Sequence, residues 1–468
     1  MKAIRRNIRL ISFVLVGSLL ALIIYGAYSI STLGTRWFTS SANIYAYRIK
    51  SNVIAGSIFD RNQVPLAITD AAGNRVYHQN AQIRSAVVHA VGDKANNVAH
   101  GAESFMSRYL YGFNDSYIDR VLGAIRGEKR RGNDIVLSID SALQAHIARQ
   151  FPKDKSGAVV VMNYRTGELL VLQSFPLFDP MRVTAQTKTD PLQPFWNRAT
   201  KWTSAPGSTY KLVTLAAVLD KLPNATQSTY HCDGELTINN TRMVDAEGAV
   251  HGSLDLRRAL AVSCNIVFGE LALKLGDAQM RQTAEAFRLN DHFLFRDIVV
   301  EDSRYPTSNR TQREIAWTGV GQSALAITPL HMCLITAAIA NRGIMMEPQL
   351  LLRAVSAAGD LKASFQQRAY ATVLSPALAN SIGNYMAEAV QNGTARGASI
   401  WGLRICGKTG SAQIDGQEAE NAWFVGYIDN EKYPYAVCVA VENAGGGGAV
   451  AAPIARSIFS FLSTNHRP

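Results

Sequence analysis

Residues 157–173 read GAVVVMNYRTGELLVLQ, two short apolar runs separated by the polar segment Tyr164-Arg165-Thr166-Gly167. Runs of this length that are rich in valine and leucine predict strands, and the threonine and glycine between them predict a turn. Further along the chain, residues 422–428 and 435–441 are apolar runs of the same kind. The sequence therefore predicts a sheet built from strands at both ends of a long segment.

Helical patterns fill the space between and after these strands. Apolar residues recur at helical spacing over 211–219 and 260–275, and a last helix is predicted over 454–462, where Pro453 suits a first turn. A strand pair, a helical middle, further strands and a final helix together predict an α+β domain.

Three short motifs follow one another within this domain. They are Ser208-Thr209-Tyr210-Lys211, Ser263-Cys264-Asn265 and Lys408-Thr409-Gly410-Ser411, which spell SxxK, SxN and KTG. Each motif alone is weak, and SxxK alone is compatible with an ordinary helical turn. In this order they are typical of serine enzymes that acylate themselves on a peptide or β-lactam carbonyl.

The first motif supplies a nucleophile and a base. Pro206 and Gly207 predict a turn just before Ser208, so the serine is expected to open a helix, with Lys211 one turn later on the same face. Ser208 is then the nucleophile. Lys211 can take its proton only when neutral, which requires burial or a second cation nearby, and Lys408 is expected to be that cation.

The other two motifs complete the chemistry. Ser263 is predicted to relay a proton to the departing amine, while the Asn265 amide binds substrate and helps to hold the SxxK lysine. The segment Thr409-Gly410-Ser411 is predicted to bind substrate, because the two hydroxyls share one face of a strand. The oxyanion is expected between the backbone N–H groups of Ser208 and Ser411.

The N-terminal residues predict a membrane anchor. Residues 10–33 carry no charge and are long enough to cross a hydrocarbon core as one helix. Residues 1–9 are predicted to be a cytoplasmic tail, with everything after about residue 35 outside the membrane, because the cations Lys2, Arg5, Arg6 and Arg9 precede the span. A cleaved signal peptide is less favoured because its apolar run would be shorter.

Between the anchor and the catalytic domain lies a smaller region, predicted to span 36–131. It begins with a strand pair around an Asp60-Arg61-Asn62 turn, and helix formers follow at 102–110 and 117–126. A charged, glycine-containing stretch at 126–133 marks the boundary, so the catalytic domain is predicted to span 132–468.

Charge and cysteine content exclude other classes of function. The formal net charge is +11, but no basic run is interleaved with aromatic residues, so nucleic acid is not an expected partner. The five cysteines include no CxxC pair and no metal-ligand spacing, which makes a zinc site improbable, and no metal or cofactor is expected. A disulfide bridge at Cys232 remains open. The glycines at 445–448 are predicted to form a flexible turn rather than a wall of the cleft.

The chain resembles the class B penicillin-binding proteins, which are monofunctional peptidoglycan transpeptidases. Beyond the three motifs, the resemblance covers NVIAGSIFDRNQVPLA (52–67), NDIVLSIDSALQ (133–144), Thr166-Gly167-Glu168, GVGQSALAITPL (319–330), Gly393-Thr394-Ala395 and AWFVGY (422–427). The implied fold is an antiparallel sheet flanked by helices plus an all-helical subdomain, preceded by one transmembrane helix and a small mixed α/β pedestal.

The resemblance also implies a reaction and its partners. Ser208 would attack the penultimate D-Ala carbonyl of a stem peptide ending in D-Ala-D-Ala and pass the acyl group to an amine of a neighbouring strand. β-Lactam antibiotics would acylate the same serine and stay attached. The expected protein partner is a membrane glycan polymerase of the shape, elongation, division and sporulation (SEDS) type, with the first region as pedestal.

Three alternatives share these motifs. A D,D-carboxypeptidase would use water as the acceptor, and the sequence does not separate acceptors. A β-lactamase would need a deacylating glutamate, for which Glu301 has a plausible position but a polar loop context. A penicillin sensor or a non-catalytic scaffold would be expected to show an output domain or degenerate motifs.

Overall fold

The computed structural model describes residues 2–38, 53–70, 73–112, 130–308, 310–413 and 419–465. The first element is helix α1 (Lys2–Phe38), which contains the predicted anchor. Its segment Arg9–Ser29 has a mean hydropathy of 2.4 and is not buried against the rest of the chain. By length and composition, this helix can cross a membrane.

A small mixed region follows the helix. Its strand pair around the Asp60-Arg61-Asn62 turn is confirmed, since Ile58 pairs with Ala67 across antiparallel strands. The helix formers at 102–110 form two short helices, while those at 117–126 lie outside the described residues. The elements of this region are β1 (Ile58–Phe59), β2 (Pro65–Thr69), β3 (Arg75–Tyr77), α2 (Ala81–Ala86), α3 (Val88–Val91), α4 (Ala102–Phe105) and α5 (Ser107–Leu110).

The larger region contains the remaining helices and strands. Its first half comprises β4 (Asp134–Leu137), α6 (Ser141–Gln150), β5 (Gly157–Asn163), β6 (Leu169–Phe175), α7 (Ala185–Thr189), α8 (Arg198–Lys201), α9 (Lys211–Lys221), β7 (Tyr230–Cys232), β8 (Glu235–Ile238), β9 (Thr241–Val244), β10 (Gly252–Leu254), α10 (Leu256–Ala261) and α11 (Asn265–Ala286). Its second half comprises α12 (Gln312–Gly319), α13 (Pro329–Ala340), β11 (Ile344–Met346), β12 (Leu351–Val355), β13 (Leu361–Ser364), β14 (Ala369–Thr372), α14 (Pro376–Asn392), β15 (Ile405–Ala412), β16 (Asn421–Ile428), β17 (Tyr435–Val441) and α15 (Ala451–Asn465).

A five-stranded antiparallel sheet, in the order β15-β16-β17-β5-β6, forms the centre of this region. Alternate residues of β5 point to opposite faces: Val159 and Val161 pack with α6, α14 and α15, whereas Val160 and Met162 pack with α13 and the helical part. Both faces are covered, which explains why these strands are continuously apolar. The predicted α+β fold is confirmed.

The helical middle differs from the sequence prediction at the SxN motif. Residues 260–275 were expected to form one helix, but α10 ends at Ala261 and α11 begins at Asn265. Ser263, between them, has a φ of +64°, a left-handed conformation that few residues other than glycine adopt. Cys264 begins the second helix by accepting a hydrogen bond from the Val267 N–H. The motif therefore lies in a break between helices.

The two regions share a second sheet, in the order β13-β12-β4-β1-β2-β3. Strand β1 pairs in parallel with β4. On its other side β4 pairs with β12, which is distant from it in sequence. The buried carboxylate of Asp60 connects the two regions: it accepts hydrogen bonds from the N–H groups of Asn62 and Val64 and, through its other oxygen, from the Ser141 hydroxyl at 2.6 Å. The sheet and this carboxylate connect the smaller region to the catalytic one.

Replacing Asp60 by alanine should therefore destabilise the protein. The substitution leaves buried donors without an acceptor, and we expect a loss of about 3 kcal/mol in the free energy of unfolding. Denaturant unfolding of the full chain in detergent measures this change. Glu285→Ala, at an exposed helical position, is the matched control and should change little. Equal stability of the two variants would contradict the role of Asp60.

Candidate active site

Ser208 lies on a tight turn that faces the edge of the central sheet. The turn is a 3-10 helix, Gly207–Tyr210, that leads directly into α9; Ser208 is partly exposed while its neighbours in the turn are buried. Gly207 has a φ of +54°, and a Cβ atom there would lie 2.4 Å from the Ser411 carbonyl oxygen. Only glycine allows this close approach between the turn and β15.

Lys211 opens helix α9, and its amine is buried in the SxN break. The amine donates hydrogen bonds to the Asn265 side-chain oxygen at 2.7 Å and to the Ser263 carbonyl oxygen, and it lies 3.3 Å from the Ser263 hydroxyl. Burial lowers the pKa of Lys211 to about 8, although the negative charges of Asp245 and Cys264 oppose the shift. A substantial fraction of this amine is therefore neutral near physiological pH.

Lys408 approaches the same hydroxyl from the other side of the cleft. Its amine donates to the Ser263 hydroxyl at 2.8 Å and to the Thr409 carbonyl oxygen at 2.8 Å. Burial lowers the pKa of Lys408 well below its usual value, and the ammonium of Lys211 lowers it further. Burial, one of the two causes that the sequence analysis allowed, lowers the pKa of Lys211, whereas the charge of Lys408 is not among the causes of that shift. Two amines share one hydroxyl, so both cannot be charged without mutual repulsion.

Strand β15 carries the KTG motif at the edge of the sheet. It pairs with β16 on one side, and its other side faces Ser208 and the SxN break. The Thr409 hydroxyl is 2.7 Å from the hydroxyl of Thr394, a residue to which the sequence analysis gave no chemical role. The sequence feature that could have indicated this role is the Gly393-Thr394-Ala395 triplet ahead of the motif. Its residues are small, so a loop built from them can bring the threonine hydroxyl close to the strand.

The glycine run at 445–448 packs against the motif strand, and a turn begins within it, since the Gly446 carbonyl oxygen accepts a hydrogen bond from the Ala449 N–H. The Gly447 N–H donates to the Ser411 hydroxyl at 3.3 Å. A Cβ atom on Gly447 would lie 2.4 Å from the Gly410 carbonyl oxygen and 2.3 Å from that of Trp423. The run is packed backbone to backbone against the motif strand, which explains its composition.

Glu301 lies outside this constellation. Its side chain is exposed, and its charge acts on Lys201 rather than on either motif lysine. Its backbone N–H donates to the Thr200 carbonyl oxygen. The structure therefore gives Glu301 no contact from which it could activate a water molecule at Ser208.

A cluster of possible metal ligands lies directly behind the SxN motif, where the sequence analysis expected none. Ligand atoms of Cys232, Asp245, His251 and Cys264 all lie within 4.8 Å of one another, and the cysteines and the aspartate are buried. All five cysteines are free, so no disulfide forms at Cys232. Two thiols, an imidazole and a carboxylate in this arrangement fit zinc. Sequence spacing missed them because four separate places contribute one each: strand β7, the residue after β9, the residue before β10, and the SxN break.

This cluster also contacts the catalytic motif. Asp245 accepts a hydrogen bond from the Asn265 N–H at 3.0 Å, while its other carboxylate oxygen lies 3.2 Å from the His251 imidazole. Cys264 itself is the middle residue of SxN. A metal held here would therefore stabilise the break that places Ser263 and Asn265.

We expect the full chain, purified without chelators, to contain about one zinc ion, and removal of the metal to lower the apparent melting temperature. Mass spectrometry of metal content and thermal unfolding measure the two effects. Cys232→Ser should reduce the zinc content, whereas Cys333→Ser, at a buried thiol in α13, should not. Zinc at background level in the unmodified chain would contradict the assignment.

Comparison with known proteins places this chain and its fold in one family. The family model described as "Penicillin binding protein transpeptidase domain" matches residues 157–460, which is more than half of the chain. Among curated proteins, the peptidoglycan D,D-transpeptidase PbpA of Mycolicibacterium smegmatis is 31% identical over 328 residues, 64% of this chain and 66% of the relative. The peptidoglycan D,D-transpeptidase MrdA of Acinetobacter baumannii is 29% identical over 390 residues, 74% of this chain and 56% of the relative. The matches thus span less than two thirds of these relatives' lengths.

Solved structures agree with the sequence matches. Penicillin-binding protein A of M. tuberculosis, solved as an acyl-enzyme complex with ceftriaxone, superposes with a TM-score of 0.79 at 26% identity, covering 88% of this chain and 98% of that one. Penicillin-binding protein 2 of Pseudomonas aeruginosa superposes with a TM-score of 0.72 at 25% identity, covering 89% and 98%. The chain therefore belongs to the penicillin-binding protein transpeptidase family and is, as predicted, of class B.

Proposed function

We propose that this chain is a peptidoglycan D,D-transpeptidase that crosslinks stem peptides through an acyl-serine intermediate and is covalently inhibited by β-lactams. The observation that carries the proposal is the convergence of the Lys211 and Lys408 amines on the Ser263 hydroxyl, beside the partly exposed Ser208. Two comparisons support the proposal. The curated relatives are named peptidoglycan D,D-transpeptidases, and penicillin-binding protein A of M. tuberculosis was solved as a β-lactam acyl-enzyme.

Acylation begins with Ser208. Its hydroxyl oxygen attacks the penultimate D-Ala carbonyl, and neutral Lys211 takes the hydroxyl proton. The backbone N–H groups of Ser208 and Ser411 stabilise the developing oxyanion. The C–N bond then breaks, and Ser263 passes a proton from the lysine pair to the departing D-Ala amine. Asn265 holds Lys211 and the substrate backbone during these steps.

The substrate's terminal carboxylate binds at the motif strand. Lys408 supplies a buried amine there, and the Thr409-Gly410-Ser411 segment supplies two hydroxyls and a closely packed backbone. The hydroxyl of Thr394 orients that of Thr409 through their 2.7 Å contact. This group of donors favours a peptide that ends in a free carboxylate.

Deacylation needs an acceptor that reaches the acyl-serine. An amine from a neighbouring stem peptide gives a crosslink, while water gives a shortened peptide, the carboxypeptidase reaction. A β-lactam keeps its leaving nitrogen tethered after ring opening, so that group stays in the acceptor's path. The exposed position of Glu301 supports a long-lived acyl-enzyme over β-lactamase turnover.

The location and partners belong to the same proposal. We place residues 1–9 in the cytoplasm, 10–33 as a single span and 36–131 as a pedestal, with the catalytic domain, 132–468, outside the membrane. The unburied apolar surface of α1 and the cations in its first turns, ahead of the apolar span, support this orientation. A membrane glycan polymerase of the SEDS type is the proposed partner, because crosslinking requires newly made glycan strands near the acyl-serine.

Replacing Ser208 by alanine should abolish covalent labelling by a fluorescent penicillin, because the proposed mechanism assigns the attacking oxygen to this residue. Gel fluorescence of the full chain measures this, with Ser228→Ala, at a position remote from the site, as the control that should label normally. A pentapeptide donor, incubated with and without an amine acceptor, separates transpeptidation from hydrolysis by product mass. Undiminished labelling of the alanine variant would refute the proposed nucleophile.

Acylation should also depend on pH through Lys211. The base acts only when neutral, and its neutral fraction grows as the pH rises toward the pKa of about 8. The second-order rate of acylation by benzylpenicillin should therefore increase about tenfold per pH unit well below 8 and level off above it. Stopped-flow or quenched labelling between pH 5.5 and 9.5 measures the profile. A rate that does not change over this range would argue against Lys211 as the base.

A further inference from the structure

An open pocket adjoins the active site beyond the end of the motif strand. Its volume is about 770 Å³, and its lining includes Ala205, three residues before Ser208, and Gln413, two residues after Ser411. The amide of Gln322, also in the lining, donates a hydrogen bond to the Ser411 carbonyl oxygen at 3.4 Å. The pocket is therefore continuous with the site where the acyl group forms.

The direction in which substrate binds determines which part of it reaches this pocket. In the proposed reaction the terminal carboxylate lies toward Lys408 and Thr409, and the scissile carbonyl lies at the N–H of Ser411. A peptide bound along the open edge of β15 thus continues from Ser411 toward Gln413 with the residues that precede the scissile bond. The first side chain beyond the penultimate D-Ala, that of the third stem residue, is the one that enters the pocket.

Two tryptophan side chains form part of the pocket wall. Trp202 stacks on Trp423 behind it, with ring centroids 5.4 Å apart and an interplanar angle of 15°, and Trp317 forms another part of the lining. Flat apolar walls of this kind suit the aliphatic stem of a long side chain. They do not discriminate between the groups at its end.

Charge at the rim supplies that discrimination. Arg313 and Glu314 are the charged side chains among the lining residues. One carboxylate oxygen of Glu314 is held at the start of α12, where it accepts hydrogen bonds from the N–H and the hydroxyl of Thr311 at 2.7 and 2.8 Å. Arg313 is exposed and forms no ion pair with any residue in the described ranges. The guanidinium is therefore available to a ligand, and it prefers a carboxylate.

We propose that this pocket holds the third residue of the stem peptide and that Arg313 selects a diamino dicarboxylic acid, whose side chain ends in a carboxylate as well as an amine, over a diamino acid that ends in an amine alone. The inference rests on the proposed function and specifies its substrate class. Arg313 acts here as a specificity residue, separate from the proton-transfer groups around Ser263.

Two synthetic donors of the form acetyl-X-D-Ala-D-Ala test the proposal, with meso-diaminopimelate or lysine as X. The full chain in detergent is labelled with fluorescent penicillin, and the donor concentration that halves the labelling rate is measured for each peptide. The diaminopimelate donor should protect at about fivefold lower concentration than the lysine donor, the effect expected of one exposed ion pair. In Arg313→Gln this ratio should fall to about one. Arg353→Gln, at an exposed position on β12, is the matched control and should keep the ratio.

The outcomes separate the two proposals. Equal protection by both donors in the unmodified chain, or a ratio that survives Arg313→Gln, would overturn the role of Arg313 while leaving the transpeptidase proposal intact. Absence of penicillin labelling in the unmodified chain would overturn both. The readout is the ratio of the two protecting donor concentrations, measured within each variant. A general loss of activity in Arg313→Gln would affect both donors equally and would not by itself change this ratio.

Discussion

Burial of two lysine amines around one serine hydroxyl is the constraint on which the rest of the site depends. A charged ammonium is costly to remove from water, so Lys211 and Lys408 are retained in the interior only where oxygen acceptors surround them. Those acceptors come from the SxN break and from the edge strand of the sheet. The SxN break must therefore lie within hydrogen-bond distance of both amines, and β15 must bring the Lys408 amine to it.

Local structure is adjusted to meet this requirement. Ser263 adopts a left-handed conformation, which ends one helix and lets the next begin at Asn265. Gly207 and Gly447 allow the nucleophile turn and the glycine run to contact β15 without intervening side chains. Departures from regular structure of this kind concentrate where a site demands a particular geometry. Ser263, Gly207 and Gly447 all lie around one cleft, beside β15 or the Lys408 amine.

The sequence predicted those parts of the molecule whose cause is local. The strands at 157–163 and 435–441 are short apolar runs, and the residues of the three motifs have fixed spacings, so both could be recognised without the fold. The break at SxN could not, because the contact between Asp245 and Asn265 comes from residues distant in sequence. The same reason applies to the pairing of β12 with β4, to the Cys232–Cys264 ligand cluster and to the pocket beside Gln413. Periodicity reports the burial of a segment but not its partner across the fold.

The backbone packing around β15 has a consequence for escape from antibiotics. Gly207 on one side and Gly447 on the other leave no room for even a methyl group against the motif strand, so selection by a β-lactam finds few tolerated substitutions there. The pocket beyond Gln413 has room for side chains of other sizes and charges. Changes that reduce drug binding yet preserve growth should therefore accumulate on the pocket walls, where the natural peptide and the drug place different groups.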